Sequence, residues 1–361
     1  MKHVVFAIGS LFGGGAERVV SVWSSALVEK GYKVSVIVYA RLENEYPVNE
    51  KVEVLPIAES QGACNDMSIF KRLLEIRKIL KQIKPDLIIS FLPIMQVYMR
   101  IASFGLGIPR IETIRISPWR ADILKTKFSK LWLNAFETSK AVILQSKDQK
   151  SFFSEKVQKK AEVIPNPINS KYVENVKSEY NPDSYKIVAA GRLSEQKNYK
   201  MMIDAVKTVS KDFRSVSLDI YGVGELEEEL KSYIEKAGLE DTVKLMGRSN
   251  ELYDVYKKAD LYVMSSDYEG MPNALAEAMA IGLPCISTDC KTGPRDLIDD
   301  GECGFLVPCG DSVALAKKIK ILFEMSEEEK KQIGQKARKK VIDLCGEESS
   351  LKKLMNLIER V

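Results

Sequence analysis

Glu269 and Glu277 stand eight positions apart in Glu269-Gly270-Met271-Pro272-Asn273-Ala274-Leu275-Ala276-Glu277. A short apolar run, Leu261 to Met264, leads into this segment, and a stretch rich in Ala, Leu and Met leaves it. That order reads as a buried strand, a loop and a helix. Pro272 is expected in the first helical turn, where its missing N–H costs nothing. The free amides of such a helix end, around Gly270, Met271 and Asn273, attract an anion such as phosphate. Glu269 would stand at the mouth of that site. Glu277 lies about 6 Å along the helix axis from Asn273 and can reach back toward a ligand hydroxyl. Amides that take a phosphate beside carboxylates that take hydroxyls suit a sugar joined to a diphosphate.

Other glycine-containing turns follow apolar runs. Gly191-Arg192-Leu193-Ser194-Glu195-Gln196-Lys197-Asn198 offers a guanidinium and an ammonium from one loop. Together Arg192 and Lys197 neutralise a diphosphate; the plainer alternative is a solvated basic loop. Gly13-Gly14-Gly15-Ala16-Glu17-Arg18 opens a helix after the first strand. Gly14 and Gly15 either let the backbone approach a ligand or only make a tight turn. Gly222-Val223-Gly224-Glu225 is open between a turn and a place near a nucleotide. Arg248, in Gly247-Arg248-Ser249, marks a strand end where a base could meet backbone groups.

These turns need elements to hold them. Expected strands in the first half are Val4–Ile8, Lys33–Val38, Val52–Pro56, Leu87–Phe91, Arg110–Ile114, Ala141–Gln145 and Ala161–Ile164. In the second half they are Lys186–Ala190, Ser217–Tyr221, Val243–Gly247, Leu261–Met264, Cys285–Thr288 and Gly304–Val307. Helical periodicity fills nearly every interval. Such alternation predicts an α/β protein with parallel sheets covered on both faces. The run occurs twice, separated by a polar stretch from Asn166 to Ser184 that contains Pro167 and Asn181-Pro182 and reads as a linker. The expectation is two doubly wound, Rossmann-like domains, residues 1–168 and 169–345, with a ligand in a cleft outside the strand ends. The tail from Ser326 to Val361 reads as two charged amphipathic helices. Its last part, residues 346–361, is a candidate to cross back to the first domain.

Composition bounds the partners. The 361 residues are 45% hydrophobic and 29% charged, as in a folded globular protein. No apolar run reaches the roughly 18 to 20 residues of a membrane span. The start, Met1 to Ile8, reads as a first core strand rather than a signal peptide. Cys64, Cys285, Cys290, Cys303, Cys309 and Cys345 form no close CxxC pair and have no histidine near, so reduced cytosolic thiols are expected rather than zinc ligands. Residues 1–165 hold 25 Lys and Arg against 16 Asp and Glu; the remainder holds 29 against 34. The first half therefore suits an anionic partner. No nucleic-acid motif accompanies the charge.

The ordered set of segments resembles glycosyltransferase family 4. It comprises Gly13 to Arg18, Val163-Ile164-Pro165-Asn166-Pro167, Gly191-Arg192-Leu193 with Gln196-Lys197-Asn198, the Glu269–Glu277 segment, and Gly293-Pro294-Arg295-Asp296-Leu297-Ile298 with Gly304-Phe305-Leu306-Val307-Pro308. The resemblance spans nearly the whole chain. It implies the GT-B fold, retention at the anomeric carbon, and a nucleotide-sugar donor, with UDP expected as carrier. It implies no metal or other cofactor, in keeping with the absence of an Asp-x-Asp pair. Carried over by position, Arg192 and Lys197 would serve the donor diphosphate. Glu269 would hold the transferred sugar, Glu277 the ribose hydroxyls, Gly270 and Met271 the sugar or phosphate, and Gly14 and Gly15 the phosphate side. One departure concerns a histidine that many members place in the middle of the first domain. The sole histidine here is His3, which reads as structural. The matching region is Glu112-Thr113-Ile114-Arg115-Ile116-Ser117-Pro118-Trp119, where Arg115 is a candidate for acceptor or phosphate contact or else a surface arginine.

Two basic-apolar stretches bear on the acceptor. Asp66 to Lys84 mixes Ile69, Phe70, Leu74, Ile76 and Leu80 with Lys71, Arg72, Arg77, Lys78, Lys81 and Lys84, as an interfacial helix or an ordinary core helix would. Arg120 to Phe136 adds Lys125, Lys127, Phe128, Lys130, Trp132 and Phe136. With the basic first half they suggest peripheral docking on an anionic membrane surface, at the cytoplasmic face of the plasma membrane. The expected function is therefore transfer of a hexose or N-acetylhexosamine to a lipid-linked glycan acceptor during capsule or exopolysaccharide synthesis. The rival readings are a sugar-nucleotide 2-epimerase of the same fold and a non-catalytic partner subunit that binds a sugar nucleotide.

Overall fold

The computed structural model describes residues 1–177, 185–249 and 251–361. The chain divides into two units. One comprises Met1–Pro167 with Ser350–Val361, and the other Ile168–Ser349. Each is built on a parallel sheet.

The first sheet contains β1 (His3–Ala7), β2 (Lys33–Val38), β3 (Glu53–Pro56), β4 (Leu87–Ser90), β5 (Arg110–Thr113), β6 (Ala141–Leu144) and β7 (Ala161–Val163), in the order β3-β2-β1-β4-β5-β6-β7. The second contains β8 (Tyr185–Ala190), β9 (Val216–Tyr221), β10 (Val243–Gly247), β11 (Leu261–Met264), β12 (Cys285–Thr288) and β13 (Phe305–Val307), in the order β10-β9-β8-β11-β12-β13. Every expected strand is present, with ends that differ by at most one residue. The central strands β1, β4, β6, β11 and β12 are buried along their whole length. Their side chains on both faces meet helices, so continuous Val, Ile and Leu runs are what burial demands. In each sheet the order reverses once, between β1 and β4 and between β8 and β11. Ligands of doubly wound sheets bind at the carboxyl ends of the strands flanking such a reversal.

The tail helix Glu347–Arg360 returns to the first unit. Leu354 and Ile358 are fully buried in the core that holds Trp23 and Phe91. Trp23 Nε1 donates to Ser350 Oγ at 3.1 Å, and Ser350 Oγ donates to the Pro165 carbonyl at 3.3 Å. His3 is buried in β1 with Nε2 2.8 Å from Ser35 Oγ, and burial lowers its pKa.

Some expectations are corrected. The segment from Ile168 to Lys177 is no free linker: Ile168 is buried, the helix Ser170–Glu174 packs Tyr172 and Val173 against the second unit's core, and Lys177 N donates to the Ile281 carbonyl at 2.8 Å. Asn181-Pro182 lies outside the described residues. The Asp66–Lys84 stretch is broken: one helix runs Gln61–Asp66 and another Ile69–Ile83, with Ser68 Oγ capping the second at Lys71 N. Trp132 and Phe136 are fully buried core residues and cannot face a membrane.

Glu112 sits in β5 with no exposure, its Oε1 2.7 Å from Arg110 Nη1. Burial pushes its carboxyl up to about 7, against the opposing pull of Arg110. The native state therefore keeps a proton that the unfolded chain releases above the ordinary value of 4.5. This contribution to stability is present below that value and is lost as pH rises through about 7. The urea midpoint is expected to fall between pH 5 and pH 8, and Glu112→Gln to narrow the difference. An equal fall in the variant rejects this assignment.

Candidate active site

The sheet of the second unit reverses between β8 and β11, and the loops that leave these strands are stitched together. Ser265 Oγ donates to the Lys197 carbonyl at 2.7 Å, and Asp267 N to the Gln196 carbonyl at 2.9 Å. Gln196 Nε2 donates to the Tyr268 carbonyl at 2.8 Å, and Asn198 Nδ2 to Asp267 Oδ1 at 3.0 Å. Asn198 has φ +46°, a left-handed conformation that asparagine tolerates, and its side chain caps the helix Tyr199–Val209 at Met201 N. The turn directs Lys197 back over the strand ends.

Lys197 Nζ lies 2.7 Å from Glu269 Oε1. The same oxygen accepts from Ser266 Oγ at 2.7 Å. Ser266 is held in turn by Thr288 Oγ1, which donates to its carbonyl at 2.6 Å, and Thr292 Oγ1 donates to the Glu269 carbonyl. Glu269 is 6% and Glu277 5% exposed, so both carboxylates are withdrawn from solvent. A buried carboxylate persists only when paired and hydrogen-bonded, and Glu269 has an ammonium and a hydroxyl.

The helix Asn273–Ile281 begins one residue later than expected: Pro272 is its N-cap, at φ −79° and ψ 88°, and not part of its first turn. Pro272 offers this end no side-chain cap, and the helix starts with its N-terminal end beside the Glu269 loop. Gly293, at φ +97°, lies so close that a Cβ there would stand 2.5 Å from Pro272 Cδ and 3.2 Å from the Gly270 carbonyl. The turn after β12 thus braces Gly270, Met271 and Pro272 from behind. Glu277 is one turn inside this helix.

The structure thus brings Lys197, Glu269, Gly270, Met271, Pro272, Asn273 and Glu277 to one end of one sheet. Arg192 is on the same loop as Lys197 but is exposed and makes no ion pair among the described residues. Arg248 is exposed after β10, two strands from β8 and so about 10 Å away at ordinary strand spacing. Gly14, Gly15 and Arg115 belong to the first unit. Gly14 is the N-cap of the helix Gly15–Glu29, and the Glu17 carboxylate lies against it. Arg115 is not a surface arginine. Its guanidinium is buried 4.6 Å from the Trp23 ring and 5.4 Å from that of Phe91, and Nη1 donates to Asn166 Oδ1 at 2.8 Å. Burial pushes its pKa down to about 9. Ser265, Ser266, Thr288 and Thr292 escaped the reading of the sequence. The one signal is Ser265-Ser266, a pair of small hydroxyl residues directly after a buried strand.

Residues 13–172 match the family model described as Glycosyltransferase Family 4, and residues 172–340 match the one described as Glycosyl transferases group 1. The chain belongs to glycosyltransferase family 4. A Campylobacter jejuni relative, the GalNAc-alpha-(1->4)-GalNAc-alpha-(1->3)-diNAcBac-PP-undecaprenol alpha-1,4-N-acetyl-D-galactosaminyltransferase, is 28% identical over 95% of this chain and 94% of its own. The amylovoran biosynthesis glycosyltransferase AmsD of Erwinia amylovora is 29% identical over 99% of both chains. Among solved structures, Anabaena HepE in complex with UDP superposes with a TM-score of 0.82 over 100% of both chains at 20% identity, which shows a shared GT-B fold. Within this family frame Lys197, Glu269 and Glu277 lie in the segment matched by the group 1 model, and Gly14, Gly15 and Arg115 in the family 4 segment. Among the described residues no three His, Cys, Asp or Glu side chains gather to hold a metal, and no helix is long and apolar enough to cross a membrane.

Proposed function

We propose that this glycosyltransferase moves a hexose or N-acetylhexosamine from a UDP-sugar to a lipid-diphosphate-linked glycan, with retention and without a metal, in surface polysaccharide synthesis. The observation that supports it most is the Lys197–Glu269 pair at the reversal of the second sheet, beside the N-terminal end of the helix Asn273–Ile281. Arg192, Lys197 and the Asn273 helix amides meet the diphosphate. Glu269 holds the sugar and Glu277 the ribose hydroxyls. Gly14 and Gly15 admit the phosphate side once Glu17 moves aside, Arg248 borders the base, and Arg115 serves the acceptor side. The acceptor hydroxyl attacks the anomeric carbon on the face the diphosphate leaves, and a leaving phosphate oxygen takes its proton. Groups already aimed at the growing negative charge lower the barrier without reorganisation. The C. jejuni relative's name supports a polyprenyl-diphosphate acceptor, and the HepE complex supports UDP.

The test is incubation of the purified protein with UDP-galactose, UDP-N-acetylgalactosamine, UDP-glucose or UDP-N-acetylglucosamine and a polyprenyl-diphosphate-linked glycan, with and without EDTA. Released UDP, an extended acceptor and an α-anomeric signal in NMR are expected, unchanged by EDTA. An isomerised sugar would support the epimerase, and binding alone the partner subunit.

Docking on an anionic membrane surface is part of the proposal. The helix Ile69–Ile83 leaves Ile69, Leu74 and Phe70 exposed, the last at 70%, beside exposed Lys71, Lys78 and Lys81. Buried apolar area and electrostatic attraction add in such binding. Co-sedimentation with phosphatidylglycerol vesicles is expected to fall several-fold in Phe70→Asp/Leu74→Asp, and in the wild type as salt rises. Equal binding by the variant would remove this helix from the docking surface.

A further inference from the structure

The Tyr199 hydroxyl has no use in the fold. Its ring lies in the first turn of the helix Tyr199–Val209 and is 4% exposed, yet Oη is buried without a hydrogen-bond partner. A phenylalanine would fill the same space without stranding a polar atom, and a stranded buried hydroxyl costs stability. The position of Oη is informative. A Cβ on Gly191 would meet Tyr199 Oη at 3.1 Å and Lys197 Cε at 2.8 Å. The hydroxyl and the lysine side chain therefore lie side by side over one glycine. Lys197 Nζ is in turn committed to Glu269 Oε1. Burial and then the charge of Glu269 raise the Tyr199 pKa, so the hydroxyl is a proton-bearing donor at neutral pH.

We propose that Tyr199 is a positioning residue for transfer, whose hydroxyl donates a hydrogen bond to Glu269 when a diphosphate draws Lys197 away. The proposal rests on the reading above, in which Lys197 serves the diphosphate and Glu269 the sugar. In the free protein Lys197 neutralises Glu269. Once Nζ turns to the phosphate, Glu269 Oε1 retains Ser266 Oγ but loses its cation. Tyr199 Oη is then the neighbouring hydroxyl without a prior commitment. A hydrogen bond from it keeps the carboxylate in place.

The experiment is Tyr199→Phe in the full chain, with Tyr256→Phe as the matched control. Tyr256 also has a buried hydroxyl without a partner, on the helix Leu252–Lys258. Both variants are expected to melt at or above the wild-type temperature, because each sheds a stranded polar atom. Only Tyr199→Phe is expected to lose kcat, by about tenfold or more, the worth of one hydrogen bond to a charged group. Its KM for the sugar nucleotide and its affinity for UDP change little, since Lys197 is intact. Wild-type kcat in Tyr199→Phe overturns the proposal. Full activity in Lys197→Ala and Glu269→Ala as well would show that the underlying site assignment had failed first.

Discussion

Lys197→Ala and Glu269→Ala should each lower kcat/KM by roughly two to three orders of magnitude, the usual loss when one preorganised electrostatic group is removed from a site. The two losses have different origins. In the proposed reaction, Lys197→Ala removes a cation from the departing diphosphate, and Glu269→Ala removes a carboxylate that orients the sugar. Their stability effects should be coupled. The pair is largely buried, with side chains 18% and 8% exposed. Removing the lysine leaves a buried carboxylate without its cation, still accepting from Ser266 Oγ, whereas removing the glutamate frees an ammonium that can turn toward solvent. Lys197→Ala should therefore be the less stable single variant. The double variant should be less destabilised than the sum of the two, because no charge is then left unpaired. Circular dichroism at 25 °C should show all three folded, and a double-mutant cycle in urea should give a favourable coupling energy. Wild-type turnover in both single variants would remove the site assignment, whatever the cycle showed.

The parts of this site differ in how far the sequence discloses them. The strands were legible because a parallel strand buried on both faces is expected to be a continuous apolar run, and Leu-Tyr-Val-Met or Ala-Val-Ile-Leu between turn residues has few other readings. Lys197 and Glu269 were legible because each follows such a run at a place where doubly wound sheets bind ligands. The groups that hold them were not. Ser266 follows β11, whereas Thr288 ends β12 and Thr292 lies in the turn after it, and their partnership exists only after β11 and β12 pair. Tyr199 reads as a core residue of its helix, and only the close approach at Gly191 reveals where its hydroxyl ends. Leu92 adopts φ +64° just after β4, and nothing about a leucine announces it. Trp132 and Phe136 misled because an apolar face bound for a membrane and one bound for a core have the same period. Glu17 over Gly14 was hidden for a related reason: a carboxylate in a first helical turn is ordinary, but here it occupies the space above the glycine where a phosphate was expected.

Gly222 tests whether the site depends on backbone packing as much as on charge. The residue follows β9 and has no side chain to offer a ligand. A Cβ there would fall onto the Gly191 carbonyl oxygen and within 2.9 Å of its carbon, at φ +149°. Gly191 in turn leaves room for Lys197 and Tyr199, and its N–H donates to the Tyr221 carbonyl at 2.9 Å. Gly222→Ala should therefore push the Gly191 turn and displace Lys197 from Glu269. Gly238 is the comparison: it has φ +68° but nothing within 4 Å of a Cβ, so Gly238→Ala measures the left-handed strain alone. That strain is worth about 1 kcal/mol, and Gly238→Ala should retain full activity. Gly222→Ala should lose about 1–3 kcal/mol more through crowding of backbone against backbone, together with most of its turnover, because a misplacement of about 1 Å can cost on the order of a hundredfold. Equal melting temperatures for the two variants, with turnover intact in both, would mean that the loops yield without cost and that the ion pair alone fixes the geometry.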